Sequence, residues 1–360
     1  MTLPRNICCR VFRIDVKETN YVRRGFRGAN DAMRQRIEQI GAGFTHGYHQ
    51  ALQIENLDEL AENLNRVELE FRGFAYEGAA MGLALLDHLT PWQASRIAQF
   101  LQGAGKDHAY VIHVGVGWVW ARLPFFLSRR EHGFDPLLRW LAFDGWGFHE
   151  GFFHWPDYVA AQPWPRKIRT TRPRDYGTTG PQDERSYGPA VLPSCGPVGY
   201  ETHAFDQGLG RSFWFVNGGN VAWISRTIAN FPEARQKDLW SGIGLAAVYA
   251  GGVTESALGE LRAAAGKSAA ELAQGAAFAA KARERAGNLT DYTDMATRTL
   301  TGLSALDAAR LTDSTLENLP AGGPEPAYEV WRRRTQQRFS NARKDELPRV
   351  PNIVSTQRAH

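Results

Sequence analysis

Apolar and small residues recur in helix-length segments along this chain, and no run alternates in the way that a half-buried β-strand does. A glycine-rich segment at Asp206–Gly210 reappears about 34 positions later at Trp240–Gly244, a period typical of stacked helix pairs. We therefore predict an all-α fold, an array of antiparallel helix pairs wound into an αα-superhelix. Extending the period gives one reference position in each copy: Gly47, Gly82, Gly117, Gly151, Gly210, Gly244 and Phe278.

The second helix of each pair has recognisable start signals. Asn220 and Thr254 stand before apolar helical runs at matching places in successive copies, where a side-chain oxygen can cap the first backbone N–H groups. Thr90 followed by Pro91 combines an N-cap residue with a proline at the first helical position. These signals predict helices that begin at Asn220, Thr254 and Thr90.

Two regions interrupt the periodic pattern. Residues 156–199 are rich in Pro, Arg, Gly and Ser, which predicts one long irregular loop. Apolar content also drops after residue 319. We predict a basic N-terminal segment at 1–30, a helical repeat domain at 31–319 with a loop insertion at 156–199, and a poorly ordered basic tail at 320–360.

Composition narrows the class of protein. The 360 residues are 43% hydrophobic and 22% charged, and no apolar run reaches the roughly 18 residues that span a bilayer. The N-terminus lacks the apolar core of a signal peptide, so we expect a soluble, cytoplasmic protein. Three cysteines are too few for a disulfide framework or a cysteine zinc site. A net charge of +4 is dilute over this length, and we expect no nucleic-acid partner.

The period also assigns residues to helix faces. Positions two before and two after the reference are mostly small, which predicts the packing seam between copies. Positions four before, one before and three after form a neighbouring face with polar and aromatic side chains, and we interpret it as the lining of a concave binding surface. Trp120, Trp240 and Phe213 on this face are candidates for holding an apolar or conjugated ligand, together with Glu77, one residue away from its slot.

Four residues of the lining face are candidates for chemistry: Glu150, His154, His113 and Asp206. Glu150 and His154 are four residues apart and share a helix face, whereas His149 and His154 are five apart and diverge by roughly 140°. A Glu–His pair can act as a general acid and base, or supply two ligands of a metal whose others come from His113, His46 or Asp206. It can also be a hydrogen-bonded structural pair. The sequence identifies no metal and no cofactor, and a register on Gly147 instead of Gly151 would move Glu150 off the lining face.

Five blocks of this chain together resemble one protein family. They are residues 72–82, 113–118, 144–151, 205–211 and 274–279, and they are similar to blocks of the UnbL-like family, whose members accompany enediyne polyketide biosynthesis genes. The resemblance implies a role around a conjugated polyene made by an iterative polyketide synthase. It also implies other biosynthetic proteins as partners, among them a membrane protein. The family supplies no catalytic residues.

Two hypotheses of function follow. In the first, the helical array binds a hydrophobic polyene intermediate or docks biosynthetic partners along its aromatic face. In the second, the protein is a tailoring enzyme that desaturates or cyclises the polyene, with Glu150, His154, His113 and Asp206 as its site.

Overall fold

The computed structural model describes residues 9–123, 133–165, 199–320 and 325–346, and all regular secondary structure in these ranges is helical. The predicted all-α array is confirmed. Four short 3-10 turns lie at Val16–Thr19, Lys106–His108, Leu138–Trp140 and Gly266–Ser268. The α-helices are α1 (Asp31–Gln53), α2 (Leu57–Asn65), α3 (Leu69–Leu89), α4 (Arg96–Gln102), α5 (Ala109–Arg122), α6 (Leu141–Phe153), α7 (Trp155–Ala160), α8 (Tyr200–Val216), α9 (Val221–Ala229), α10 (Glu233–Tyr249), α11 (Glu255–Ala265), α12 (Ala269–Arg285), α13 (Asp291–Thr301), α14 (Ala305–Leu316) and α15 (Ala327–Glu346).

The helices form two layers. The long helices α1, α3, α5, α6, α8, α10 and α12 pack against one another in this order and make the inner layer. Shorter helices such as α9 and α11 form the outer layer and bury only one face. Their apolar residues recur at helical spacing against an otherwise polar surface, which is why they fold only against the inner layer.

Two of the three predicted helix starts are confirmed. Asn220 accepts a hydrogen bond from the backbone N–H of Trp223, and Thr254 accepts one from Ala257. The prediction at Thr90 is wrong, because α4 begins at Arg96 with Ser95 as its N-cap. The buried carboxylate of Asp87 accepts the backbone N–H groups of Arg96 and Ile97 and thereby fixes the later start.

Pairs of glycines let neighbouring inner helices touch backbone to backbone. A Cβ atom at Gly145 would lie 1.9 Å from the carbonyl oxygen of Val114 on the preceding helix. A Cβ atom at Gly147 would lie 1.9 Å from that of Phe205 on the following helix. The same division, the first glycine towards the preceding helix and the second towards the following one, holds for Gly208 with Gly210 and for Gly242 with Gly244.

This contact pattern corrects the register of the repeat. Gly147, and not Gly151, corresponds to Gly210 and Gly244 as the second glycine of its pair. In α3 the pair is Gly78 and Ala80, so the reference at Gly82 is also displaced. Four residues turn a helix position by about 40° and two residues by about 200°, so the displaced references change the faces assigned around them.

The superhelix closes on itself, so the predicted open concave surface is wrong. Arg36 of α1 donates to the carbonyl oxygen of Ala250 at 2.5 Å, and Arg283 of α12 donates to that of Glu70 at 3.0 Å. The rings of Phe74 and Tyr249 meet at 5.2 Å between centroids. The inner faces of the long helices therefore surround an enclosed axis.

Both ends of the described chain pack on this array. The prediction of a poorly ordered tail is wrong for Ala327–Glu346, which form α15, with Trp331 fully buried and Arg332 ion-paired to Asp238 at 2.8 Å. The predicted loop at 156–199 is wrong at its start, because α7 (Trp155–Ala160) is helical. Residues 166–198 of that loop lie outside the described residues. No helix among the described residues is long and apolar enough to cross a bilayer.

Candidate functional site

A ladder of buried polar side chains follows the enclosed axis. Each of its members stands immediately before the first glycine of a pair, and we call this set the polar ladder: Glu77, Asp144, Gln207, Ser241 and Gln274. Every one is almost inaccessible to water. Burying polar groups stabilises a fold only where they are hydrogen-bonded, so their partners decide what the ladder does.

The rungs of the polar ladder are joined by hydrogen bonds. The Gln207 side-chain amide donates to the Asp144 carboxylate at 2.8 Å, and the Ser241 hydroxyl donates to the Gln274 side-chain oxygen at 2.9 Å. The Arg211 guanidinium pairs with Asp144 and lies 4.0 Å from the Glu77 carboxylate. One guanidinium therefore serves two buried carboxylates.

Glu77 is a member of the polar ladder whose burial is only partly compensated by its neighbours. Burial raises the pKa of its carboxyl to about 7, although Arg211 and the hydrogen bond from Trp118 both act in the opposite direction. The Trp118 indole N–H donates to this carboxylate at 3.0 Å. A buried carboxyl with a pKa near neutrality suits a group that senses or positions a ligand.

A narrow apolar cavity ends on Glu77 and Arg211. Its volume is about 30 Å³, room for about one water molecule. Thr19 of the N-terminal segment also lines it and lies against Gly41 of α1. Six of its twelve lining residues are aromatic: Phe44, Phe74, Trp118, Phe148, Phe152 and Phe215.

Of the predicted ligand-binding residues, only Glu77 lines this cavity. Trp120 packs edge-on against Phe143 at 5.3 Å, and Phe213 packs against Phe231 at 5.6 Å, both fully buried. Trp240 is buried as well. All three pack in the core outside this cavity, because the true inner face lies one residue away from the predicted one.

The predicted pair of Glu150 and His154 is brought together. The two side chains are 2.9 Å apart, with Glu150 largely buried and His154 half exposed. Burial raises the pKa of Glu150, but hydrogen bonds and charges from His149 and His154 outweigh it, so the pKa lies below its usual value. Glu150 is therefore the proton acceptor of the pair.

His149 also joins this cluster, against the prediction from helical geometry. Its Nδ1 lies 3.7 Å from the Glu150 carboxylate. The reason is that α6 ends at Phe153 and His154 leaves the helical conformation, with φ −125° and ψ 25°, so the angle expected between His149 and His154 does not apply. Burial lowers the pKa of His149 to about 4, which keeps its ring neutral.

This cluster fits acid–base chemistry better than metal binding. One ligand atom from each of His149, Glu150 and His154 lies within 4.8 Å of the others, close enough to approach one ion. However, the Arg122 side chain donates to Nε2 of His149 at 3.0 Å, and a neutral imidazole that accepts on one nitrogen carries its hydrogen on the other. The nitrogen that faces Glu150 is then a donor and not a metal ligand.

His113 and Asp206 lie in other surroundings. His113 is buried, with Nδ1 donating to the Ala109 carbonyl at 2.7 Å and Nε2 accepting from the Asp135 backbone at 3.2 Å, so both ring nitrogens have partners. Asp206 is ion-paired with Arg235 at 2.5 Å. Burial raises the pKa of Asp206 to about 6, and Arg235 opposes this. The predicted site of four residues is thus not assembled among the described residues.

Tyr158 connects the surroundings of Glu150 and Asp206. Burial raises the pKa of its phenol and Glu150 raises it further, whereas Arg235, the partner of Asp206, acts in the opposite direction. Tyr158 is therefore close enough to both Glu150 and Arg235 for their charges to act on its phenol.

Neither a curated protein nor a solved structure matches this chain. A family described as a protein of unknown function, DUF1702, matches residues 4–180 and 182–339. These ranges include the polar ladder, the aromatic cavity and the Glu150 cluster. The chain belongs to the DUF1702 family.

Proposed function

We propose that this chain is a binding protein for a conjugated polyene intermediate, which it holds in the aromatic cavity with a polar group of the ligand at Glu77 and Arg211. The resemblance of five sequence blocks to the UnbL-like family supports an enediyne-type polyketide pathway as the source of that polyene. In this proposal the protein works in the cytoplasm beside other biosynthetic proteins.

The observation that carries the proposal is the chemistry of the cavity. Six aromatic rings offer flat, apolar contacts suited to a conjugated chain, and one end presents a carboxyl and a guanidinium. Trp118 belongs to this wall and also donates to the Glu77 carboxylate, so a ligand at the wall would lie beside the polar end. An ordinary helical core has no need of such a polar end.

The cavity must widen to admit a polyene, and the side lined by Thr19 is the part that can move. Thr19 belongs to a short 3-10 turn and not to the helical array. The adjoining segment is held to α1 by few hydrogen bonds, among them one from Tyr48 to the Phe12 carbonyl and one from Ile14 to His49. Displacing this segment opens the cavity without separating inner helices.

Titration with diphenylhexatriene, a neutral conjugated probe that fluoresces in apolar surroundings, tests the proposal. We expect saturable binding of one probe per chain with a Kd of about 1–10 µM. Ile37 lines the cavity, and Ile37→Phe fills it, so this variant should lose binding at least tenfold. Ile228→Phe introduces the same extra volume at a buried site in α9 and should bind as the wild type does. Equal binding by both variants would contradict the proposed location.

A second candidate function is a tailoring enzyme that uses the Glu150 cluster. It is favoured by the 2.9 Å contact between a carboxylate of lowered pKa and a half-exposed imidazole. If this is the site, Glu150→Gln should abolish the absorbance change when the protein and its partners are added to a synthase-made polyene. Asp157→Asn is the control, because it removes an exposed carboxylate in the next helix, α7. Unchanged product with Glu150→Gln would exclude this chemistry.

A further inference from the structure

The N-terminal segment that covers the cavity has an outer face of its own. Residues 10–23 run antiparallel along α1: Phe12 is held by Tyr48 at 2.8 Å and Asn20 by Glu38 at 2.8 Å. These contacts span ten residues of α1, or about 15 Å. We call the outward side of residues 10–23 the N-terminal strip.

The N-terminal strip exposes an unusual share of apolar surface. Val11, Val16 and Val22 are 66%, 51% and 67% exposed. They are three of the six large hydrophobic residues that are exposed in the described part of the chain. The inward side of the same segment is packed, as Thr19 and Tyr21 show, so these valines are not remnants of an unfolded end.

Basic residues without a salt bridge to a described residue lie beside the valines. Arg10, Arg13 and Lys17 are exposed, and none of them forms a salt bridge to a described residue. The acidic residues of the strip are already engaged: Asp15 caps the 3-10 turn, and Glu18 pairs with two neighbouring arginines. The strip therefore combines a net positive charge with exposed valines.

We propose that the N-terminal strip is a docking surface for an anionic lipid bilayer. Lysine and arginine are attracted to the anionic headgroups, and valine side chains enter the boundary between headgroups and acyl chains. A nucleic acid would also attract the cations, but it offers the valines no apolar contact. Docking is peripheral, because no described helix can cross the bilayer.

Docking would bring the mouth of the cavity to the lipid. Thr19 lies on the inward side of the strip and lines the cavity, between the flanking Val16 and Val22. An apolar ligand could then pass between bilayer and cavity without crossing bulk water. The docking itself does not depend on whether a polyene binds.

Co-sedimentation with phospholipid vesicles, in the absence of any polyene, tests this proposal. We expect the full chain to bind vesicles of phosphatidylcholine with phosphatidylglycerol at least tenfold more tightly than phosphatidylcholine alone, with the difference lost in 0.5 M salt, since each cation near the surface contributes about a fivefold factor. No preference for anionic vesicles would overturn the proposal.

Matched triple variants identify the surface. Val11→Asp with Val16→Asp and Val22→Asp should lose at least tenfold in binding, because an aspartate is repelled by the headgroups. Leu69→Asp with Trp92→Asp and Leu306→Asp changes the other three exposed hydrophobic residues and should bind as the wild type does. Arg10→Glu with Arg13→Glu and Lys17→Glu tests the charges separately and should also lose binding. Equal binding by the two aspartate triples, with both folded by thermal melting, would overturn the assignment, as would binding to duplex DNA in place of vesicles.

Discussion

Trp118 donates its indole N–H to the carboxylate of Glu77 at 3.0 Å, and this bond joins the aromatic wall of the cavity to the polar ladder. Both side chains are buried, and Arg211 lies on the other side of the carboxylate at 4.0 Å. This bond places a carboxyl of raised pKa directly beside the wall of the proposed binding site.

Glu77 should give the fold a pH dependence that Glu77→Gln removes. Burial raises the pKa of this carboxyl to about 7 in the folded chain, above about 4.3 for an unfolded glutamate. The folded state therefore binds the proton more tightly, and the free energy of unfolding should fall by up to about 3 kcal/mol as the pH rises from 4.5 to 7, then level off.

Urea denaturation between pH 4.5 and 8 measures this dependence as the difference between the wild type and Glu77→Gln. The free energy of unfolding of Glu77→Gln minus that of the wild type should increase up to pH 7. Glu70→Gln, in the same helix but with a carboxylate that pairs with Arg36 near the surface, should follow the wild type. Parallel curves for the wild type and Glu77→Gln would contradict the raised pKa.

The register of the repeat can be tested with alanine in place of glycine. A Cβ atom at Gly147 meets the Phe205 backbone at 1.9 Å, whereas at Gly151 it meets the side chains of Ser212 and Leu209, which can turn away. Gly147→Ala should therefore cost at least about 3 kcal/mol, and more than Gly151→Ala.

Gly259→Ala is the control for the glycine series, since a Cβ atom there has nothing within 4 Å and the residue lies inside α11. It should stabilise the chain by about 0.5–1 kcal/mol, measured by thermal unfolding. A larger cost for Gly151→Ala than for Gly147→Ala would restore the register first expected from the sequence.

The sequence is sufficient to predict the helical array, because glycine and apolar periodicity are local patterns. It does not reveal that the superhelix closes, since the bond from Arg36 to Ala250 joins residues far apart in the chain. The polar ladder could have been found: a polar residue precedes the first glycine at Glu77, Asp144 and Gln207 alike. With the reference placed at Gly151, this pattern does not appear at matching positions. The contact of His149 could not be predicted, because a periodicity argument cannot anticipate where α6 ends.

Arg211 should be essential to the stability of the folded interior. Arg211→Met leaves the Asp144 and Glu77 carboxylates buried without their cation and should cost about 3–5 kcal/mol in urea denaturation. Combining it with Asp144→Asn removes the stranded charge of Asp144 and should recover part of that loss. A double variant less stable than Arg211→Met alone would show that Arg211 does not act through these carboxylates.

Helix α15 should be part of the folded unit, in contrast to the tail expected from composition. Trp331 is fully buried and donates to the Thr312 carbonyl at 2.8 Å. Trp331→Ala should lower the free energy of unfolding by about 3–5 kcal/mol. Leu306→Ala, at a largely exposed position of α14, should change it by less than about 0.5 kcal/mol. Similar melting curves for the two variants would place α15 outside the cooperative unit.

Native mass spectrometry of the chain purified from cells that make the polyene tests the central claim most directly. The account predicts one polyene per chain on the wild type and on Ile228→Phe, and none on Ile37→Phe, whose added ring fills the aromatic cavity. A wild type that carries no polyene, or a polyene retained by Ile37→Phe, would contradict binding in the cavity that ends on Glu77.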